Sequence, residues 1–184
     1  MKNSTYILIL VVLVSCGRST NTQPNSLELV DFPEFLSKEK EAVMQHKTWV
    51  LKRVRWQTYT KQDSIKIEDF DWDKELALFS AIHIKPLVWK SDFELLDSMD
   101  DDGMRCFRLV AVNKKQRIKN IELYKSLQTG QLVRYEVDLN DEGKISKSNQ
   151  KLSYTKNVGY TIVGNKKNAM MEDETYQIVV QFYQ

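Results

Sequence analysis

Asp69, Asp71, Asp73 and Glu75 place carboxylates at alternating positions around Trp72 and Lys74. A pair of carboxyl groups is what glycoside hydrolysis uses: one protonates the leaving oxygen, the other serves as nucleophile or base. Asp69, Asp71 and Glu75 are therefore the candidates for hydrolysis of an envelope glycan, with Trp72 as a sugar platform. The spacing favours a plainer reading. Acidic residues in a first helical turn complement the helix dipole, and residues two apart on a helix do not face each other. On that reading Lys74 and Glu75 are solvated and Trp72 anchors the core.

Two other acidic runs imitate calcium loops. Ser98, Asp100, Asp102 and Gly103, beside Asp97 and Asp101, follow the first half of the spacing, but position twelve is Leu109 where a bidentate Glu is needed. Asp138, Asn140, Glu142 and Gly143 do the same, with Asn149 at position twelve. Both runs read as hairpin turns, since Asp, Asn and Gly are the residues turns require. His46 and His83 lack the further ligands of a metal site and read as surface or capping residues. Cys106 is flanked by Phe107, Leu109 and Val110 and reads as a buried core thiol; a catalytic thiolate needs a basic, partly open surround. The chain has no His-Glu-x-x-His, no Gly-x-Ser-x-Gly and no P-loop, and its 6 glycines leave little room for a dinucleotide cluster. No catalytic residue, metal ligand or cofactor is assigned, and ligand-binding residues stay unassigned.

The elements that would position these residues follow from periodicity. Phe32, Phe35, Leu36 and Val43 recur at helical spacing through a charged stretch, with Asp31 to cap it and Pro33 in the first turn; this predicts a helix over 33–46. Val50, Val54 and Trp56 then alternate with Lys and Arg, predicting a hairpin that turns around 61–64 and returns through Ile65 and Ile67. Trp72, Leu76, Phe79 and Ile82 form one stripe of a second helix, stopped by Pro86. Strands are expected over 105–112, 117–124, 133–139, 144–155, 158–164 and 175–183, with a turn at 140–143. Short connections imply antiparallel neighbours. The expected fold is α+β: two helices, an N-terminal hairpin and an antiparallel meander, in a single domain spanning 31–184.

Composition bounds the partners. The 184 residues include 27 basic and 25 acidic ones, a net charge of +2. Nucleic acid is not an expected partner, because its binders concentrate basic charge on one face. Lys52/Arg53/Arg55 and Lys114/Lys115/Arg117/Lys119 are small clusters that strand and turn alternation accounts for.

The N-terminus supplies an address. Lys2 precedes an apolar run from Tyr6 to Val14, which is shorter than the roughly 20 residues needed to span a bilayer core. A basic start before a short apolar core is the pattern of an export signal. Leu13-Val14-Ser15-Cys16, at the end of that run, resembles the lipobox of bacterial lipoproteins. The resemblance implies that residues 1–15 are a signal peptide, leaving a net charge of +1 once Lys2 is removed, and that Cys16 is the lipid attachment site. Each acyl methylene buried there contributes about 0.8 kcal/mol to anchoring. Residues 16–30 contain few bulky apolar side chains and read as a flexible tether. Gly17 stands where inner-membrane lipoproteins often carry Asp, so the resemblance favours the outer membrane.

The segment Asp71-Trp72-Asp73-Lys74-Glu75-Leu76-Ala77-Leu78-Phe79, continuing through Ile82-His83-Ile84-Lys85-Pro86, is similar to a pattern in a group of small Gram-negative lipoproteins. There a DWxxELxxF helix leads through a short Pro-ended link into a sheet meander. Gly159-Tyr160-Thr161-Ile162-Val163-Gly164 resembles the GYxIxG strand of that group. His83 replaces a common acidic residue, and Ile84-Lys85-Pro86 lacks the usual Asn. The resemblance implies fold and address but no reaction. The expected role is a non-enzymatic binding or accessory domain, anchored to the bilayer through acylated Cys16, that docks an envelope protein or holds a small apolar ligand. A hydrolase using Asp69, Asp71 or Glu75, or an inhibitor or immunity-type lipoprotein, is the alternative.

Overall fold

A computed structural model of the chain describes residues 30–82, 89–101, 103–169 and 171–184. Cys16, the signal segment and the tether up to residue 29 lie outside the described residues, as do His83, Pro86, Asp102 and the side chains of Asp97, Asp100 and Asp101.

Helix α1 (Phe32–His46) starts where Asp31 accepts a hydrogen bond from the Glu34 amide at 3.0 Å, with proline in the first turn. Its inward positions are Phe32, Leu36, Glu39 and Val43, one stripe at helical period. The chain then enters β1 (Trp49–Trp56) and β2 (Tyr59–Lys66). The turn falls at Gln57 and Thr58, not at 61–64. Gln57 takes a left-handed φ of 49°, and its amide donates to the Thr175 carbonyl at 2.9 Å. A bond to the far end of the chain and the Trp56↔Tyr59 pairing thus override local turn preference.

The second helix divides. A 3-10 turn (Ile67–Asp69) leads to α2 (Trp72–Glu75) and α3 (Ala77–Ser80), each a single turn, with the break at Leu76. All of the stripe is nonetheless buried: Trp72, Leu76, Phe79 and Ile82 are 5% exposed or less. A further turn, α4 (Trp89–Asp92), precedes β3 (Phe93–Asp101). β3 occupies part of what the acidic pattern marks as a turn; a register shift between Leu96 and Ser98 breaks its alternation and so hides the strand from periodicity.

The remaining strands are β4 (Met104–Ala111), β5 (Ile118–Ser126), β6 (Leu132–Glu142), β7 (Ser146–Thr155), β8 (Gly159–Asn168) and β9 (Met171–Tyr183). β6 continues to Glu142, through all of the expected turn at 140–143 except Gly143. The reversal comes later, where the Gly143 amide donates to the Ser146 carbonyl at 2.8 Å. All neighbours pair antiparallel in one 9-stranded sheet of order β2-β1-β9-β8-β7-β6-β5-β4-β3. The fold is α+β with the meander dominant. The free edge β2 carries Lys61, Asp63 and Lys66, charges that discourage edge-to-edge association.

One face of the sheet forms the core. Lys52, Val180, Tyr160, Tyr154, Tyr135, Leu123 and Phe107 make one transverse row, and Val54, Ile178, Ile162, Leu152, Val137, Ile121 and Leu109 the next. Against these rows α1 sets Phe32 and Phe35, and α3 sets Phe79. The Phe32–Tyr135 centroids are 4.8 Å apart and Phe79–Tyr160 5.3 Å, within the range where aromatic pairs attract.

Candidate functional site

The acidic candidates around Trp72 separate. Asp71 caps α2, accepting from the Lys74 amide at 3.1 Å, and Asp69 and Asp73 are exposed. Glu75 is not solvated. Its side chain is 17% exposed and turns toward the sheet, where it accepts the Tyr160 hydroxyl at 2.6 Å and pairs with the Lys52 ammonium. Burial first, and then the Glu75 carboxylate, push the Tyr160 phenol far up. The cluster fastens α2 to β1 and β8. Lys52 reaches the core face because β1 alternates, while Arg53 and Arg55 fall on the other side. Trp72 is a core residue, edge-on to Phe70 at 5.0 Å.

Cys106 is not in the core. The period of two that turns Phe107 and Leu109 inward turns Cys106 outward, where it is half-buried. Burial raises its thiol above the ordinary value, against a lowering contact from Tyr124. The second calcium-like run is extended strand, with Asp138 Oδ2 held by Asn120 Nδ2 at 3.3 Å. His46 is the last residue of α1.

The sheet face opposite the helices is polar, and over β4 to β7 it is cross-linked. Arg108 Nε donates to Glu122 Oε1 at 2.8 Å, and the Tyr124 hydroxyl donates to Glu122 Oε2 at 2.7 Å. Burial would raise the Glu122 carboxyl, but Tyr124 and Arg108 hold it below the usual range. The Arg134 guanidinium lies 3.9 Å from the Tyr124 ring centre, and Glu136 receives Lys151 at 2.6 Å.

Beside this network, toward β1, lies a groove of about 580 Å³. Its wall carries amides on successive strands: Asn140 on β6, Asn149 on β7, Asn165 on β8 and Gln177 on β9. Asn149 Nδ2 donates to Asn165 Oδ1 at 3.3 Å, leaving the Asn149 carbonyl oxygen and the Asn165 amino group for other partners. Arg55 stands on β1 and Lys119 on β5, while Val163 lines the middle. None of these amides stands out locally, since each is one polar residue in an alternating strand. Only the register brings Asn140, Asn149 and Asn165 into line, with Thr175 as the β9 member of the row, through Asn140↔Asn149, Asn149↔Asn165 and Asn165↔Thr175. Gln177 stands two residues along β9, opposite Val163. Arg55 and Lys119 belong to the two basic clusters that alternation seemed to exhaust.

Glu39 occupies the inward stripe of α1, where its residue type argues against burial but its position predicts it. It is 3% exposed, accepts the Asn157 amide at 3.0 Å, and lies 3.8 Å from Lys156, thereby tying α1 to the β7–β8 turn. Burial raises its carboxyl pKa, only partly offset by Asn157 and Lys156. The folded state therefore holds this proton more tightly than the unfolded chain. Its contribution to stability is complete below the ordinary carboxylate pKa and is lost as pH rises through the raised value. Glu39→Gln keeps the acceptor for Asn157 and removes the charge. Thermal unfolding from acidic to neutral pH should show the variant gaining on the wild type as pH rises. A difference that stays constant with pH would remove Glu39 as the cause.

No helix among the described residues is long and apolar enough to cross a membrane. Compared with known proteins, the chain matches no family model and no curated sequence.

Proposed function

We propose that this protein is a non-enzymatic binding module of the bacterial envelope, anchored by acylation of Cys16 and held clear of the lipid by the tether at 16–30. The lipobox-like Leu13-Val14-Ser15-Cys16 behind a short apolar run supports the address, and Gly17 favours the outer membrane. One observation carries the binding role: α1, α2 and α3 fill one face of the sheet, and the opposite face bears the 580 Å³ groove. Concave sites with a few convergent polar groups are where proteins hold ligands. The filled face gives no support to an apolar molecule carried inside the sheet, because Tyr135, Tyr154, Phe32 and Phe79 occupy that space. A polar ligand or an envelope protein at the groove is the reading retained.

The test is made in cells fed radiolabelled palmitate, with a photoreactive residue replacing either Gln177 in the groove or Asp73 on the helical side. Label in the wild type and none in Cys16→Ala is expected, together with cross-links to an envelope component from position 177 alone. Label that persists in Cys16→Ala refutes the anchor. Cross-linking that is absent, or equal from both positions, refutes the groove as the binding face.

A further inference from the structure

We infer that the groove takes a linear acidic glycan, lying across the strands with its carboxylates toward Arg55 and Lys119. This rests on the groove being the binding face, and goes on to name the ligand's chemistry.

The first argument is spacing. From β1 through β9, β8, β7 and β6 to β5 there are five interstrand steps, or about 24 Å at the usual 4.8 Å per step. A 1,4-linked pyranose chain in extended form advances by close to one such step per ring. Polar side chains on four successive strands, Thr175, Asn165, Asn149 and Asn140, thus meet successive rings, while Gln177 and its β1 neighbour Arg55 stand two residues along their strands. An amide presents a donor and an acceptor together, which suits the hydroxyl groups of a sugar; the Asn140 Oδ1 atom is buried, so that residue offers its N–H donors. Carbon atoms of the lining side chains, including Val163, form much of the surface and suit the C–H face of the ring.

The second argument is charge. Lys151 is paired with Glu136 at 2.6 Å, and Asp138, which keeps its negative charge, accepts from the neutral Asn120 amide at 3.3 Å. Arg55 and Lys119 are ion-paired with no carboxylate among the described residues, and Lys119 donates only to the Lys114 carbonyl. Unpaired positive charge therefore stands at the Arg55 end of the row, and Lys119 adds a second cation at the other end, where the Asp138 carboxylate offsets part of it. Complementary charge of this kind sets partner choice, and a carboxylate at intervals along a sugar chain is its match.

The test uses the full acylated protein in detergent and calorimetric titration with hexasaccharides of 1,4-linked mannuronate and of 1,4-linked mannose. The uronate should bind at least about tenfold more tightly, the effect of one good charged contact. Joint replacement of Arg55→Gln and Lys119→Gln should bring the two sugars to similar affinity, with unchanged melting temperature. Asn149→Ala with Asn165→Ala should weaken both about tenfold or more. Equal binding of inorganic polyphosphate would show that the groove reads charge alone, and would overturn the inference. So would failure of both hexasaccharides to bind. If cross-links from position 177 persist in that case, the groove is a binding face with another occupant; if they are absent too, the binding reading falls with the glycan.

Discussion

Phe79→Ala should lower the unfolding free energy by about 3–5 kcal/mol, the range for truncating a buried Phe. Phe79 is fully buried, and its ring touches three tyrosines on three strands. The centroids are 6.1 Å from Tyr135, 6.0 Å from Tyr154 and 5.3 Å from Tyr160. Edge-on pairs of this kind each add about 0.5–1.5 kcal/mol beyond burial. α3 is a single turn and has little stability of its own, so it stays on the sheet through Phe79 and its neighbours. Small domains have only about 5–15 kcal/mol in total, so the variant should be close to unfolding at physiological temperature. Phe79→Leu should recover a large part of the loss. Urea denaturation is the measurement. A midpoint within experimental error of the wild type would mean that the short helices do not hold the sheet.

Gly159→Ala should be comparably damaging, by a different route. Gly159 opens β8 at φ 143°, a region that essentially only glycine occupies. A Cβ there would lie 1.9 Å from the Val180 carbonyl oxygen and 2.9 Å from its carbon. Both atoms are backbone of β9 and cannot swing aside. Backbone strain of about 1–3 kcal/mol adds to a packing conflict of about 1–3 kcal/mol. The β8–β9 pairing and the adjacent turn, where Glu39 holds the Asn157 amide, would both have to shift. Loss of amide-exchange protection centred on 158–162 and 178–182 is expected. Protection unchanged from the wild type would show that the close approach is relieved cheaply.

Local patterns carry much of this fold. Asp31, Pro33 and the stripe of Phe32, Leu36 and Val43 define α1 because cap, turn and stripe agree. The alternation of Tyr135, Val137 and Leu139 marks β6 because one side of it is core and the other wet. What escaped depends on partners distant in the chain. The β1–β2 turn is fixed by Thr175, β3 hides behind a register shift, and Glu75 departs from the solvated helical pattern because Tyr160 and Lys52 receive it. Cys106 shows how period outranks composition: apolar neighbours on a strand predict the opposite environment for the residue between them. The groove was illegible for the same reason. Its polar side chains, Thr175, Asn165, Asn149 and Asn140, belong to four strands and align only through pairing register, so no window of adjacent residues contains the site.

Sheet order also governs the sequence of folding events. β1 lies between β2 and β9, with Trp49 opposite Tyr183, so a strand near the start of the domain is seated by its last strand. Every other neighbouring pair is local in the chain. The local hairpins can zip early at small entropic cost, but docking β1 closes a loop around almost the whole domain. A chain emerging N-terminus first, from a ribosome or a translocation pore, therefore leaves β1 and β2 as an unattached hairpin until β9 arrives. Commitment to the native sheet order is thereby deferred until β9 is available, however early the local hairpins have formed.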